Sequence, residues 1–217
     1  MKDIAIYGAG GFGREIACLI KHINQHADAS QQRWCLIGFF DDGKAKGTRN
    51  EYGEVLGGMD ELNQWDTPID VVIAIGSPQS VRNIAEQVTN PNVSWPNIIA
   101  PDTFFLDPDN IEMGHGNIVC PRCFFSCHVR MGNFNFFNGY VTVGHDDVIG
   151  NYNCMMPAVR LSGELTIGDN NFFGVASVVL QQHKIGHNVT IGANSVVIRN
   201  PKDGCTYVGN PAKKIEY

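Results

Sequence analysis

Apolar residues recur at every sixth position through the second half of the chain. Stepping by six from Met113, fifteen consecutive positions ending at Val197 are all apolar, although only 43% of the chain is hydrophobic. Glycine follows the apolar residue in eight of these fifteen repeats. A six-residue period is typical of a parallel β-helix, in which each short strand turns one apolar side chain inward and small or polar residues form the corners. The pattern therefore predicts an all-β second domain.

Three such strands complete one coil, so residues eighteen apart should stack on each other. The fifteen repeats predict five coils spaced about 4.8 Å apart, because stacked strands hydrogen-bond along the helix axis. The register can be checked within the sequence, since Asn117, Asn135, Asn153 and Asn171 fall in one column. Stacked asparagines form hydrogen-bonded ladders, so we expect a structural role for these four side chains.

The first half of the chain instead alternates short apolar runs with helical patterns. Residues 4–7 are predicted to form a strand, followed by a glycine turn and an amphipathic helix. Two further strand patterns lead into Asp41 and Asp42 and into Gly76. This alternation predicts a mainly parallel sheet. Ligands bind such sheets at the carboxyl ends of the strands, so the Gly8 turn, the two aspartates and the Gly76 turn should line one pocket.

Gly8, Gly10 and Gly13 fit the G-x-G-x-x-G pattern at a strand-to-helix turn. Missing side chains there let phosphate oxygens approach backbone N–H groups at the positive end of a helix. The obvious ligand is a nicotinamide dinucleotide with Asp41 or Asp42 on the ribose, and tight packing of helix on strand is the structural alternative. Residues 1–95, however, amount to one half of a full dinucleotide fold. We therefore expect an α/β Rossmann-like half domain over 1–95 that binds a smaller nucleotide ligand, and the β-helix over 96–217.

Charge and composition exclude several classes of partner. Sixteen basic and twenty-two acidic side chains give a net charge of -6 with no basic cluster, which argues against nucleic acid. The N-terminus has no long apolar signal region and no 18-residue apolar span occurs, so we expect no membrane segment and a cytoplasmic protein. Seven cysteines is an odd number, which favours reduced thiols over a disulfide framework.

Cysteines and histidines cluster at the start of the repeat, at His115, Cys120, Cys123, Cys127 and His128. In the predicted register these residues occupy different faces of one coil rather than converging, so we expect no metal. Cys123 falls in an inward corner column and is interpreted as a small core residue.

Five segments, taken in order, resemble those of one protein family: YGAGGFGRE, GFFDD, IAIGSP, VGHDDVIG and VGNPAKKI. The chain resembles the bacterial sugar acetyltransferases related to sialic acid O-acetyltransferase and to the nucleotide-sugar N-acetyltransferases of surface glycan synthesis. The resemblance implies a left-handed β-helix that forms trimers and binds acetyl-CoA between subunits. It also implies that the first domain holds a nucleotide-linked sugar.

The resemblance assigns roles to individual residues. His145 occupies the position of the general base, Asp146 would orient it, and the backbone N–H of Gly163 would meet the thioester oxygen. Asp147 is the competing orienter, since a buried carboxylate needs partners. Acetyl-CoA would lie near Gly163, Val175 and Ala193. The expected sugar-nucleotide contacts are Gly8, Gly10, Gly11, Phe12, Asp41, Asp42, Lys44 and Gly76.

The implied homotrimer agrees with aromatic residues that point outward in the predicted register and would leave an apolar patch on a monomer. These residues are Phe124, Phe134, Phe136 and Tyr140. The histidines His22 and His187 are interpreted as solvated surface residues. Many relatives have histidines where this chain has Phe12 and Cys154, which puts in doubt an amino sugar like that of those relatives. Two alternative functions are a nicotinamide-dependent oxidoreductase and a non-catalytic trimeric scaffold or sugar-nucleotide sensor.

Overall fold

A computed structural model describes residues 1–28 and 33–216. The chain divides into two compact units, one formed by 1–76 with 80–101 and the other by 77–79 with the residues from Asp102 onward. No helix within the described ranges is both long enough and apolar enough to cross a membrane.

The first unit is built around a parallel sheet with the strand order β3-β4-β2-β1-β5-β6, in which only β3 runs antiparallel to its neighbour. In chain order the elements are β1 Lys2–Tyr7, α1 Gly11–His26, β2 Trp34–Phe40, β3 Arg49–Asn50, β4 Gly53–Gly57, α2 Met59–Asn63, β5 Ile69–Ile73, α3 Pro78–Gln87, β6 Val93–Ser94 and β7 Ile98–Ile99. Strand β5 is buried along its whole length, as a central parallel strand requires. Helix α1 packs Ile16, Leu19 and Ile20 into the core, which confirms its predicted apolar face.

The second unit is a parallel β-helix, as the six-residue period predicted, and it is left-handed, as the family resemblance implied. Its first sheet contains β10 Ile118–Val119, β13 Phe136–Phe137, β16 Cys154–Met155, β19 Phe172–Phe173, β22 Thr190–Ile191, β24 Thr206–Val208 and β25 Lys213–Ile215. The second contains β8 Phe104–Phe105, β11 Phe124–Phe125, β14 Thr142–Val143, β17 Arg160–Leu161, β20 Val178–Val179 and β23 Val196–Val197. The third contains β9 Ile111–Met113, β12 Val129–Met131, β15 Val148–Ile149, β18 Thr166–Ile167 and β21 Lys184–Ile185, and a short 3-10 helix, Pro108–Asn110, precedes it.

The core of the β-helix follows the predicted register. Fourteen of the fifteen predicted inward residues are buried, and only Met113 at the open end of the repeat is partly exposed. Every sixth residue from Arg122 to Asn194 has a positive φ, between 53° and 64°. This left-handed backbone turns the chain at each corner, and it falls on non-glycine residues that seldom adopt it elsewhere.

The predicted asparagine ladder is confirmed. Each of the four side chains is buried, and the Nδ2 atom of Asn153 donates to Asn135 Oδ1 at 3.0 Å. The same amide group also donates to the carbonyl oxygen of Gly168 at 2.9 Å, fifteen residues on. Its Oδ1 atom accepts the backbone N–H of Asn171, eighteen residues on, at 3.0 Å. The ladder thus ties one corner of each coil to the next.

The structure differs from the prediction at the ends of the repeat and on its surface. The stacking begins before Met113, because Phe104 pairs with Phe124, twenty residues later, in a coil with two extra residues. The predicted aromatic patch is wrong: Phe134 and Phe136 are each only 8% exposed, while Tyr140 is 54% exposed. Phe134 is covered because it stacks on the ring of Tyr152, with ring centroids 5.4 Å apart.

Candidate active site

The strongest candidate for a catalytic group is the pair formed by His145 and Asp146 at the corner before β15. The Nδ1 atom of His145 lies 2.8 Å from Asp146 Oδ2, and both side chains are about half exposed. Asp146 has a φ of 59°, the left-handed corner conformation. The hydrogen bond to Asp146 is the main cause of a raised pKa for His145. An exposed, oriented imidazole of this kind can exchange protons with a ligand.

Gly163 lies beside this pair, one coil further along the helix. A methyl group added to Gly163 would lie 3.2 Å from the Nε2 atom of His145, a tight contact that would require the ring to shift by a few tenths of an ångström. Gly163 has a φ of 111°, which favours glycine, and it is followed by Glu164, whose φ is also positive. The N–H group of Gly163 donates to no acceptor in the described part of the chain. The structure therefore brings His145, Asp146 and Gly163 together.

Asp147 does not orient the imidazole, although it follows the pair directly. Its side chain is fully buried, and its two oxygens accept the backbone N–H groups of Leu165 at 2.9 Å and Gly144 at 3.1 Å. Burial raises the pKa of Asp147 to about 6, against the effect of these two N–H groups. Of the two carboxylates that the sequence left open, Asp146 is the one in contact with His145.

A polar cavity of about 250 Å³ adjoins the pair on the same face of the β-helix. It is lined by Asp109, Asn110, Glu112, His128, Arg130 and Asp146. Asn110, His128 and Asp146 are eighteen residues apart, so they form one corner column along its edge. Sequence reasoning missed this cavity, because it depends on the 3-10 helix that precedes the regular repeat.

Val175 and Ala193 lie at a different corner from His145 and Gly163. They stack on each other, with the N–H of Asn194 donating to the carbonyl oxygen of Val175 at 2.8 Å, and both are exposed. Within one chain, therefore, the three predicted acetyl-CoA contacts and the two predicted catalytic residues fall into two separate groups.

In the first unit the glycine turn has the geometry expected of a phosphate site. Helix α1 begins after Gly10 with no side-chain cap and no acidic residue in its first turn. Side chains added at Gly10 or Gly11 would meet nothing within 4 Å, which leaves open space above the helix end. A Cβ atom at Gly13, in contrast, would lie 1.9 Å from the carbonyl oxygen of Gly8, so the third glycine serves packing.

The two aspartates at the end of β2 are both engaged by the backbone. Asp41 accepts the N–H of Ala9 in the glycine turn at 2.8 Å and the N–H of Gly43 at 2.9 Å. Asp42 accepts the N–H of Met59 at 2.8 Å and the hydroxyl of Tyr7. Asp41 therefore holds the turn in place, which gives it a structural role beside the predicted contact with a ribose.

The predicted sugar-nucleotide residues do not all line one cavity. Asp41, Asp42 and Lys44 line a cavity of about 290 Å³ together with Lys46, which the sequence did not single out, and with residues 57–61. The glycines Gly8, Gly10 and Gly11 lie outside that lining, as do Phe12 and Gly76. A residue added at Gly76 would also meet open space.

The remaining candidates serve structure. Cys123 is buried and donates to the carbonyl oxygen of Asn138 at 3.1 Å, which confirms it as a core residue. Cys154 is also buried, and burial raises its pKa to about 12, so its thiol fills space. His187 belongs to an outer ladder, in which its Nδ1 atom accepts the N–H of Asp169 at 2.9 Å, and is only in part the solvated residue expected. No group of three or more metal-ligating side chains converges among residues 1–28 and 33–216.

The chain was compared with protein families, with curated proteins and with solved structures. Residues 3–88 match the PglD N-terminal domain family. The comparison with curated proteins gives no match. The acetyltransferase domain of PglB from Neisseria gonorrhoeae is 27% identical, with a TM-score of 0.86 over 99% of this chain and 100% of that one.

Two further solved structures share the fold over the whole chain. WeeI from Acinetobacter baumannii is 28% identical, with a TM-score of 0.86 over 99% of this chain and 100% of its own. PerB from Caulobacter crescentus is 22% identical, with a TM-score of 0.84 over 100% of this chain and 98% of its own, and supports the fold alone.

A Rossmann-like α/β domain followed by a left-handed β-helix with a His–Asp pair at one corner defines a class, the hexapeptide-repeat acyltransferases. Within this class, the match to the PglD N-terminal domain and the full-length similarity to PglB and WeeI point to the sugar acetyltransferases. Over its whole length the chain is similar to bacterial sugar acetyltransferases, the family that the order of its sequence motifs predicted.

Proposed function

We propose that this protein is an acetyl-CoA-dependent acetyltransferase that modifies a nucleotide-linked amino sugar. The observation that carries the proposal is the pair of His145 and Asp146 beside Gly163. Acetyl-CoA is the donor, in line with a PglB acetyltransferase domain from Neisseria gonorrhoeae, 28% identical, whose structure contains acetyl coenzyme A. Similarity to acetyltransferases over the whole chain argues against the nicotinamide-dependent alternative.

His145 acts as the general base. Its Nδ1–H donates to Asp146, at 2.8 Å, so the neutral ring presents the lone pair of Nε2 to the acceptor. The acceptor amine attacks the thioester carbonyl carbon while Nε2 takes its proton, and the carbon–sulfur bond then breaks. The proton passes from the imidazole to the departing sulfur, which leaves CoA as the free thiol. Asp146 stabilises the imidazolium in between.

Gly163 stabilises the oxyanion of the tetrahedral intermediate. Its N–H is uncommitted in the described structure, and the absence of a side chain lets both the imidazole and the thioester approach. A preorganised backbone donor of this kind is typically worth about 10² to 10³ in rate.

The sugar nucleotide is bound by the first unit. The uncapped start of α1 at Gly10 and Gly11 receives the phosphates, because backbone N–H groups and the helix dipole favour anions there. Lys44 and Lys46 add positive charge along the neighbouring cavity. In the second unit, the polar cavity beside Asp146 offers carboxylates and Arg130 as hydrogen-bond partners for a polar acceptor.

The active form is a homotrimer located in the cytoplasm. Val175 and Ala193 lie at a different corner from His145, so acetyl-CoA that contacts both groups would have to lie between two subunits. Exposed apolar residues on the β-helix, among them Phe104, Leu106 and Val175, offer surface for such contacts. All seven cysteines are free thiols, in keeping with a reducing compartment.

The test is release of the CoA thiol from acetyl-CoA with a panel of nucleotide-linked amino sugars, comparing the wild type with His145→Ala. Loss of a positioned general base lowers kcat by about 10² to 10⁴, while affinity for acetyl-CoA, measured by calorimetry, stays the same. His26→Ala is the control, because His26 is an exposed histidine at the end of α1 that lines neither of the two cavities described above. Near-normal turnover of His145→Ala would remove the histidine from the mechanism, whereas a wild type with no turnover on any sugar of the panel would favour the non-catalytic scaffold.

A further inference from the structure

Asp147 has an unusual position within the repeat. It is fully buried in a column whose members in the preceding and following coils are Val129 and Leu165. A buried carboxylate is costly in a place where the fold accommodates an apolar side chain. Its presence calls for an explanation beyond packing.

One of the two hydrogen bonds of Asp147 has the same geometry as those of the asparagine ladder. Each ladder asparagine accepts the N–H eighteen residues on, as Asn153 does from Asn171 at 3.0 Å. Asp147 accepts the N–H of Leu165, also eighteen residues on, at 2.9 Å. This bond ties the corner that carries His145 to the corner that carries Gly163.

The second hydrogen bond has no counterpart in the ladder. In neighbouring coils, the residues that stack on Gly144 donate their N–H to a strand in the next coil, Ser126 to Val143 at 3.0 Å and Ser162 to Val179 at 3.1 Å. Gly144 instead donates to Asp147 Oδ2 at 3.1 Å, and it makes no such inter-coil bond within the described residues. The Asp147 carboxylate therefore accepts an N–H group, that of Gly144, which at the equivalent positions of neighbouring coils bonds to the next coil.

We propose that Asp147 is a positioning residue, whose carboxylate holds the Gly144–His145 backbone out of the regular ladder and thereby sets the imidazole against Gly163. This proposal rests on the proposed function. Gly144 lies so close to the next corner that a methyl group added to it would be 2.4 Å from the Gly163 nitrogen. A small shift of the backbone at Gly144 therefore changes the spacing between the base and the oxyanion donor.

Asp147→Asn separates the two hydrogen bonds. By the ladder pattern, the new amide keeps its acceptor for Leu165 and turns its NH₂ toward the Ser162 carbonyl, fifteen residues on, as Asn153 does toward Gly168. Gly144 then loses its acceptor and is free to bond to the next coil as its neighbours do. We expect an unchanged melting temperature, an unchanged KM for acetyl-CoA and a kcat lowered about 10- to 100-fold, because errors of about 1 Å in catalytic geometry carry losses of that size.

Three further measurements separate positioning from a merely structural role. In a His145→Ala background, Asp147→Asn should cause no additional loss, since residues that act through each other are not additive. Hydrogen exchange should accelerate in the peptide spanning Gly144 and His145 and stay slow around Leu165. Asp147→Val introduces the residue type that the preceding coil has at this position, Val129. It should lower kcat at least as much as Asp147→Asn does.

The outcomes are distinguishable from a failure of the proposed function. If the wild type transfers no acetyl group to any sugar of the panel, the proposed function fails and the positioning role with it. If the wild type is active and Asp147→Asn stays within twofold of it, only the positioning role is overturned. A fall in kcat that is accompanied by a lower melting temperature, or that persists in full without His145, also overturns it.

Discussion

Removal of one buried asparagine from the ladder tests how the β-helix is stabilised. Asn153 is 1% exposed, and its side chain bonds to Asn135, Gly168 and Asn171. In Asn153→Ala the Oδ1 atom of Asn135 keeps one donor, the backbone N–H of residue 153 at 3.0 Å. The carbonyl of Gly168 and the N–H of Asn171 lose their side-chain partners.

The two groups that lose their partners, the carbonyl of Gly168 and the N–H of Asn171, set the expected loss of stability. Leaving a buried donor or acceptor unsatisfied costs about 1 to 3 kcal/mol, so Asn153→Ala should lower the free energy of unfolding by about 2 to 6 kcal/mol. The matched control is Asn151→Ala, two residues away in the outer ladder. The Asn151 side chain is only partly buried; its Nδ2 donates to Asp169 at 3.0 Å and its Oδ1 accepts the backbone N–H of Asn133 at 2.9 Å. Water can replace its side chain, so its cost should stay below about 1 kcal/mol.

The assay is urea unfolding followed by far-UV circular dichroism, with all variants at the same protein concentration because an oligomer unfolds in a concentration-dependent way. The difference between the two alanine variants is the decisive quantity. If Asn153→Ala and Asn151→Ala lower the free energy of unfolding equally, hydrogen bonds between buried polar groups do not stabilise the coils beyond what apolar stacking provides.

Three other predictions concern the site and the assembly. Asp146→Asn removes the carboxylate that raises the pKa of His145, so the acidic limb of the pH profile of kcat/KM should move to lower pH and the plateau should fall. An acidic limb that does not move would show that Asp146 does not control the pKa of His145. Gly10→Leu should keep its melting temperature and lose affinity for the sugar nucleotide in calorimetry, whereas Gly13→Ala should unfold earlier because its methyl group meets Gly8. Light scattering should give about 71 kDa, three copies of the 23.8 kDa chain, and a monodisperse monomer would contradict the intersubunit acetyl-CoA site.

The core of the β-helix could be predicted because its order is nearly one-dimensional. One period places every inward residue from Val119 to Val197, and each coil repeats the environment of the one before. The first coil escaped prediction for the same reason. Its strands Phe104–Phe105 and Phe124–Phe125 are twenty residues apart, which breaks the eighteen-residue spacing. Only pairing in space identifies it as part of the stack.

A ladder could be predicted from the sequence only where its members are of one residue type. The inner ladder was visible because all four members are asparagine, whereas the outer ladder mixes His115, Asn133, Asn151, Asp169 and His187. From Asn133 onward, each member accepts the backbone N–H of the member in the preceding coil with a side-chain atom, and a sequence does not display this geometry. Lys46 was missed in the same way, because it reaches its cavity from a loop without a motif.

A repeat fold also supplies its own reference for finding a site. Each residue can be compared with the residues eighteen positions before and after it, which have the same backbone environment. Three departures from that reference fall together: the positive φ of Gly163, the buried carboxylate of Asp147 and the lack of an inter-coil bond from the Gly144 N–H within the described residues. Regular coils would be more easily stabilised by an apolar residue at position 147, as Val129 and Leu165 illustrate. Irregularity concentrated around His145 is therefore what a fold selected for a reaction, and not only for assembly, is expected to show.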